Sequence, residues 1–253
     1  MFSKEKYYKL LNTKILGADI YYKPITSSTN DDAWDLVEKN EFQEGTVVIA
    51  NAQKKGRGRL KKSWVTTPGD HLAFSIILVP DLPFEKMGLI SLLTSVSVAE
   101  GLNKISGIDF KLKWPNDILV SKNKIGGILI ETKIINNVLI AVVGIGINVN
   151  ESISDFPDNI KDVTSSLKIM IGEEISKEKV LASILEKIEL NYDNIDNICV
   201  KWNDLCAHLN QSTQFHLVNK TITGDFIGIT PMGHARMRIN NKEQTYSTGE
   251  ISI

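Results

Sequence analysis

Apolar residues along this chain gather in two patterns. Short stretches rich in apolar and β-branched residues, TVVIA (46–50), LAFSIILV (72–79), FKLKW (110–114), KIGGILIET (124–132) and NVLIAVVGIGINV (137–149), have the length and texture of buried strands. Elsewhere the apolar positions recur every three or four residues. Leu89, Leu92, Leu93, Val96, Ala99 and Leu102 predict a long helix near 85–105. Ser176 as N-cap, followed by Val180, Leu181, Ile184 and Ile188, predicts a second helix, and 197–205 a weaker third. A short helix is expected over 29–40, with Ala33, Leu36 and Val37 on one face and Thr29 and Asp32 spaced as a capping pair. Strands clustered in sequence, without strict alternation with helices, predict an α+β fold.

Beyond about residue 206 the pattern changes to short strands punctuated at Asn219-Lys220, Thr223-Gly224-Asp225, Met232-Gly233 and Asn240-Asn241. That spacing predicts a small β-barrel of about five strands. The expected division is a larger unit over 1–206 and the barrel over 207–253. The longest apolar runs fall short of the roughly 20 residues a membrane helix needs, and the charged first residues do not form a secretory signal.

Composition narrows the picture further. The 253 residues are 42% hydrophobic and 23% charged, which excludes a disordered tail or a fibre. Net charge is −1, so no global attraction to nucleic acid or anionic membrane is expected. Cys199 and Cys206 alone make neither a disulfide framework nor a zinc site, and a reducing, cytoplasmic setting is the expectation. No P-loop, dinucleotide fingerprint or His-Glu-x-x-His is present.

Four polar constellations remain. Ser27-Ser28-Thr29-Asn30 groups hydroxyls and an amide at a helix N-terminus; alone it reads as a cap. Gln53-Lys54-Lys55-Gly56-Arg57-Gly58-Arg59 alternates glycines with planar cations suited to clamping carboxylate or phosphate; alone it reads as a solvated loop. In Lys113-Trp114-Pro115-Asn116-Asp117 the proline ends a strand and presents Asn116 and Asp117 at a turn, with Lys124-Ile125-Gly126-Gly127 opening the next strand. In Gly144–Asn150, strand glycines clear space beside the polar Asn148.

In order and spacing, the motifs Ser28-Thr29-Asn30, Gln53 with Gly56–Arg59, Lys113–Asp117, Lys124–Gly127 and Gly144–Asn148, closed by Thr248-Gly249-Glu250-Ile251-Ser252, resemble the biotin–protein ligases. The resemblance implies a mixed sheet with flanking helices, like the catalytic domain of class II synthetases, plus a C-terminal SH3-like β-barrel. It implies ATP with Mg²⁺ as co-substrate, biotin as substrate, biotinyl-5'-AMP as intermediate and the lysine of a biotin carboxyl carrier protein as acceptor. Carried over by position, Ser28, Thr29, Asn30 and Gln53 would hold biotin, Gly56, Arg57, Gly58 and Arg59 would fold over the adenylate, and Lys124 would sit at the carboxylate–phosphate junction. Asp117 would orient Lys124 and help take the incoming lysine's proton. Lys113 and Asn116 would shape the nucleotide side, and Asn148 would stand near the phosphates or metal, with no metal held by the protein alone.

The residues before Ser27 are too few for a helix-turn-helix module, so no DNA binding is expected; a homodimer is left open. Leu60-Lys61-Lys62-Ser63 replaces a further Gly-Arg of many relatives, so a different closure is expected in the loop's distal half, and 54–63 is expected to be mobile until an anion binds. The rival readings are a lipoate or octanoate ligase or transferase and a non-catalytic biotin-binding module.

Overall fold

In the computed structural model, which describes residues 2–65, 67–217 and 220–252, the elements run α1 (Lys4–Leu10), β1 (Ile20–Lys23), α2 (Thr29–Glu38), β2 (Val47–Ala50), β3 (Leu72–Leu78), α3 (Gly88–Ser106), β4 (Lys111–Lys113), β5 (Asp117–Val120), β6 (Asn123–Ile135), β7 (Val138–Ile147), α4 (Leu167–Ile171), α5 (Lys177–Tyr192), α6 (Ile198–Leu205), β8 (Gln211–His216), β9 (Thr221–Ile229), β10 (Ala235–Ile239), β11 (Lys242–Tyr246) and β12 (Glu250–Ser252). The first seven strands form one sheet in the order β1-β2-β3-β7-β6-β5-β4. Only β1 and β2 run parallel, so the sheet is mixed.

Burial follows the sequence pattern. β3 is buried along its whole length, as a strand covered on both faces must be. One face packs against α3, which is apolar on nearly every side and lies between the sheet and α5. The other is covered by α2 through Ala33, Trp34 and Val37 against Val48, Ile77, Ile140 and Val142. Ser176 caps α5 by accepting the Lys179 N–H at 3.3 Å. The strand β5 was not foreseen, because only Ile118, Leu119 and Val120 follow the turn before the polar Ser121 and Lys122. Among the described residues no helix is long and apolar enough to cross a membrane.

The C-terminal strands do not form the expected barrel. They make an open antiparallel sheet in the order β11-β10-β9-β8-β12, whose two edge strands do not pair with each other. The physical reason is where the apolar face goes. Phe215, Phe226 and Ile251 belong to the same hydrophobic core as the first unit, with Phe215 stacked on Trp114 at 5.5 Å and Phe226 beside Trp202 at 6.1 Å. A face already buried against a neighbour gains nothing by rolling onto itself. The outer edge, β11, is exposed and begins with Lys242 and Glu243, a composition that discourages further pairing. The turn expected at Asn219-Lys220 includes a residue outside those described.

His208 sits at this junction. Its ring is fully buried, 4.3 Å from the Phe226 ring, and among the described residues neither ring nitrogen reaches a hydrogen-bond partner. Burial, helped by Lys113, lowers its pKa from 6.5 to about 3. The unfolded chain therefore binds a proton that the folded chain refuses over this interval. The stability tied to neutral His208 is complete above pH 6.5 and is lost as pH falls toward 3. His208→Phe is expected to keep the neutral-pH melting temperature within a few degrees and to flatten its fall between about pH 6 and 4, followed by circular dichroism. Buried His71, lowered to about 4, retains part of the slope. An unchanged slope in the variant would contradict this account.

Candidate active site

The site is assembled where the N-terminus of α2 meets the sheet. The expected Thr29–Asp32 capping pair does not form. Ser28 is the N-cap without a side-chain bond, and Asp32 pairs instead with Lys23 at 2.6 Å. The Thr29 N–H is met from the neighbouring chain segment: Gln53 Oε1 accepts it at 2.8 Å and accepts the Thr29 hydroxyl at 3.2 Å. Ser75 of β3 lies between Thr29 Oγ1, at 2.7 Å, and Asn30 Oδ1, at 2.6 Å. Asn30 Nδ2 donates to Glu131 of β6 at 3.1 Å, as does Trp34 Nε1 at 3.0 Å. The hydroxyl and amide cluster is thus rigid before any ligand arrives.

On the opposite wall, the turn at 114–116 brings Lys113 and Asp117 together, and Lys124 joins them. Asp117 Oδ1 lies 2.5 Å from Lys124 Nζ, and Oδ2 lies 3.1 Å from Lys113 Nζ. Burial opposes ionisation of Asp117, but Lys124 and then Lys113 outweigh it and hold the carboxyl below its ordinary range. Asn116 rims the cavity while its amide donates to the Ile128 carbonyl at 2.8 Å, splicing the turn onto β6.

The basic loop arches over both walls. Arg57 pairs with Asp31 of α2 and, at 2.9 Å, with Glu131. Arg59 Nη1 donates to the Gly249 carbonyl at 3.2 Å, and Lys62 pairs with Glu250 at 2.6 Å, tying the loop to β12. Burial lowers the Arg59 pKa from its usual value, and a guanidinium so shifted still stays charged at neutral pH. The distal half closes in a short 3₁₀ turn, Arg59–Lys61, with Leu60 in the left-handed region at φ 52° and exposed. This is how the chain turns there without a glycine.

Trp64 then folds back onto the sheet. A Cβ at Gly146 would stand 2.5 Å from its indole, and one at Gly144 would stand 2.3 Å from Asn30 Oδ1. The strand glycines therefore clear space for Asn30 and Trp64, not for Asn148 as expected. Asn148 is buried with its amide donating to the Ser165 carbonyl at 2.9 Å.

These parts enclose a cavity of ≈ 250 Å³. Of the residues singled out in sequence, Ser28, Thr29, Asn30 and Gln53 line one side. Arg57, Gly58 and Arg59 form the roof, and Lys113, Asn116, Asp117 and Lys124 the far wall. Gly56 and Asn148 lie outside it. An adjoining slot of ≈ 410 Å³ shares Ser63, Trp64, Lys113, Lys124 and Ser252 with the cavity and adds Asn148, Phe156, Ile160 and Val163. Sequence reasoning gave no role in the site to Ser75, Glu131, Trp64 or Glu250. Trp64, a large ring closing a basic loop, carried the one usable signal. Among the described residues no group of three or more His, Cys, Asp or Glu side chains is placed to hold a metal ion.

Residues 22–148 match the model of the biotin/lipoate A/B protein ligase family. The chain is 33% identical over 249 residues to the bifunctional ligase/repressor BirA of Bacillus subtilis, covering 96% of this chain and 76% of that protein. It is 24% identical over 257 residues to the bifunctional ligase/repressor BirA of Escherichia coli, covering 97% of this chain and 78% of that one. The structure superposes on the biotin protein ligase from Aquifex aeolicus, solved in complex with biotin and ATP, with TM-score 0.80 and 31% identity over 93% of this chain and 98% of that one. With the ordered motifs gathered around one cavity and likeness running along nearly the whole chain, this protein belongs to the biotin/lipoate A/B protein ligase family, in its biotin–protein ligase branch.

Proposed function

We propose that the central cavity takes biotin, that the adjoining slot takes the nucleotide of ATP, and that Lys124 stands where the two meet. The protein is an ATP-dependent biotin–protein ligase: it activates biotin as biotinyl-5'-AMP, releasing pyrophosphate, and passes biotin to a lysine of a carrier protein, releasing AMP. The observation that carries this reading is the shared wall. Lys113, Lys124 and Trp64 border both compartments, so a carboxylate in one and a phosphate in the other would approach over the same two ammonium groups.

The chemistry needs that arrangement. Two like unit charges ~4 Å apart repel by about 4 kcal/mol even at an effective dielectric of 20. Lys113, Lys124 and the half-buried Arg59 offset this, and Asp117 keeps both ammonium groups in place. Ser28, Thr29, Asn30 and Gln53 form the polar wall suited to biotin's ureido group. Gly58 and Arg59, in the roof that Arg57 helps fix, would cover the adenylate and keep water from it. The apolar slot beside Phe156, Ile160 and Val163 suits a purine base, and Asn148 at its edge serves structurally through Ser165. The described residues do not suit a resident metal: they bring no acidic cluster together, and the Asn148 amide is engaged. Mg²⁺ would enter on the phosphates of ATP as part of the substrate.

Incubation with biotin, labelled ATP and a biotin carrier domain tests the reading. Pyrophosphate should appear first, then AMP and covalent biotin together, with lipoate failing to compete. Carrier modification by lipoate in preference to biotin would overturn the assignment.

A further inference from the structure

Transfer to the carrier poses a proton problem that the cavity walls do not solve. A lysine amine with pKa near 10.4 is free in only about one molecule in 10³ at neutral pH, so the incoming ammonium must be deprotonated to attack. Asp117 is badly placed for this. Both its oxygens are held by lysines, and its carboxyl is pulled below the ordinary range, which weakens it as a base.

A second set of groups reaches the cavity from the C-terminal sheet. Ser252 lines both the cavity and the adjoining slot. His216 Nε2 lies 2.8 Å from Ser252 Oγ, and His216 Nδ1 lies 3.0 Å from Thr221 Oγ1. The register explains the arrangement. His216 on β8 stands opposite Thr221 on β9 and opposite Glu250 on β12, with Ser252 two residues further along β12 on the same face. Its ring therefore bridges three strands. Glu250, the carboxylate facing it from β12, is engaged by Lys62. Thr221 accepting from Nδ1–H would leave Nε2 as acceptor for the Ser252 hydroxyl.

We propose that Ser252 and His216 form the proton relay of the transfer step, resting on the assignment of the cavity to the biotinyl-adenylate. The acceptor ammonium gives a proton to Ser252 Oγ as that hydroxyl gives its own to His216 Nε2. The neutral amine attacks the acyl carbon, the bond from that carbon to the phosphate oxygen breaks, AMP leaves with the electron pair, and the second proton, shed as the nitrogen becomes an amide, goes to the departing phosphate. The imidazolium, only half-buried, returns its proton to solvent. Ser252 touches the reacting amine; His216 is a positioning residue acting through it. Adenylation makes no use of the relay, because biotin's carboxylate is already ionised.

The test separates the half-reactions. Preformed biotinyl-5'-AMP and a biotin carrier domain are mixed with His216→Gln in single turnover, and pyrophosphate release from biotin and ATP is measured on the same preparation. Transfer at pH 7 should fall by about 10²-fold and recover as pH rises and the amine deprotonates unaided, with adenylation retained. Imidazole should restore part of the transfer lost in His216→Ala. In the transfer step Ser252→Ala should match His216→Gln, and the double variant should transfer no more slowly than either. Wild-type transfer in His216→Gln, or equal loss in both half-reactions at every pH, would overturn the relay. Failure of the unmutated protein to release pyrophosphate with biotin and ATP would instead overturn the proposed function itself.

Discussion

Lys124→Ala is expected to slow formation of biotinyl-5'-AMP by about 10²–10³-fold, equivalent to about 2.7–4 kcal/mol of barrier. On the proposed reading the lysine acts as charge develops rather than as biotin binds. It borders both compartments, and its ammonium lies 2.5 Å from Asp117 Oδ1, so its position is fixed before substrates arrive. A fixed charge needs no reorganisation in the transition state, which is why its loss falls on turnover. In the proposed arrangement biotin's ureido end would face the opposite wall, from Ser28 to Gln53, so biotin affinity should change far less than the rate. The signature is a fall in kcat and kcat/KM together with little change in KM for biotin. Deleting Lys124 also leaves the partly buried Asp117 with Lys113 as its remaining ion-pair partner, so the carboxyl should titrate higher than in the parent protein. Melting curves of the variant, with pyrophosphate release, separate a chemical loss from an unfolded one. A folded Lys124→Ala protein that adenylates at nearly the parent rate would remove Lys124 from the mechanism.

The sequence disclosed the elements whose pattern is local. The unbroken run at 72–79 and the helical spacing from Leu89 to Leu102 correspond to β3 and α3, because burial on all sides leaves an apolar signature that no neighbour is needed to read. The candidate site was legible for a related reason: glycines, a proline and clustered cations are costly in strands and loops unless something uses them. Pairings between distant segments stayed hidden. Glu131 looks like an ordinary solvent-facing strand residue, yet it receives Arg57, Asn30 and Trp34 from two other parts of the chain. Thr29 looked like a cap for its own helix because nothing local announces that Gln53 takes that amide. The barrel failed in the same way. Short strands and frequent turns are common to an open sheet and a closed one, and the choice was made by Trp114 and Trp202, whose rings draw the apolar face of the C-terminal strands into the first core.

The glycines of β7 offer the second large effect, and they should behave differently although they share a face of the strand. A Cβ at Gly144 would meet Asn30 Oδ1 at 2.3 Å, and Asn30 cannot retreat, because Ser75 and Glu131 hold both ends of its amide. The strain of Gly144→Ala should therefore appear as lost stability, about 1–3 kcal/mol, the usual range for overpacking. A Cβ at Gly146 would meet three atoms of the Trp64 indole at 2.5, 2.7 and 2.8 Å. Trp64 stands on the loop, and among the described residues its indole N–H has no hydrogen-bond partner to anchor it. Gly146→Ala should push the ring outward at little cost to stability while opening the wall between the cavity and its neighbouring slot. A displacement of roughly 1 Å in a positioning group can cost 10²-fold, so biotin turnover should fall by about that much in a protein that melts almost normally. Melting temperature, biotin titration and adenylation rate on the two variants provide the comparison. If Gly146→Ala loses stability as Gly144→Ala does and keeps its rate, Trp64 is a core residue that happens to touch the cavity, and the shared wall is not what aligns biotin with the nucleotide.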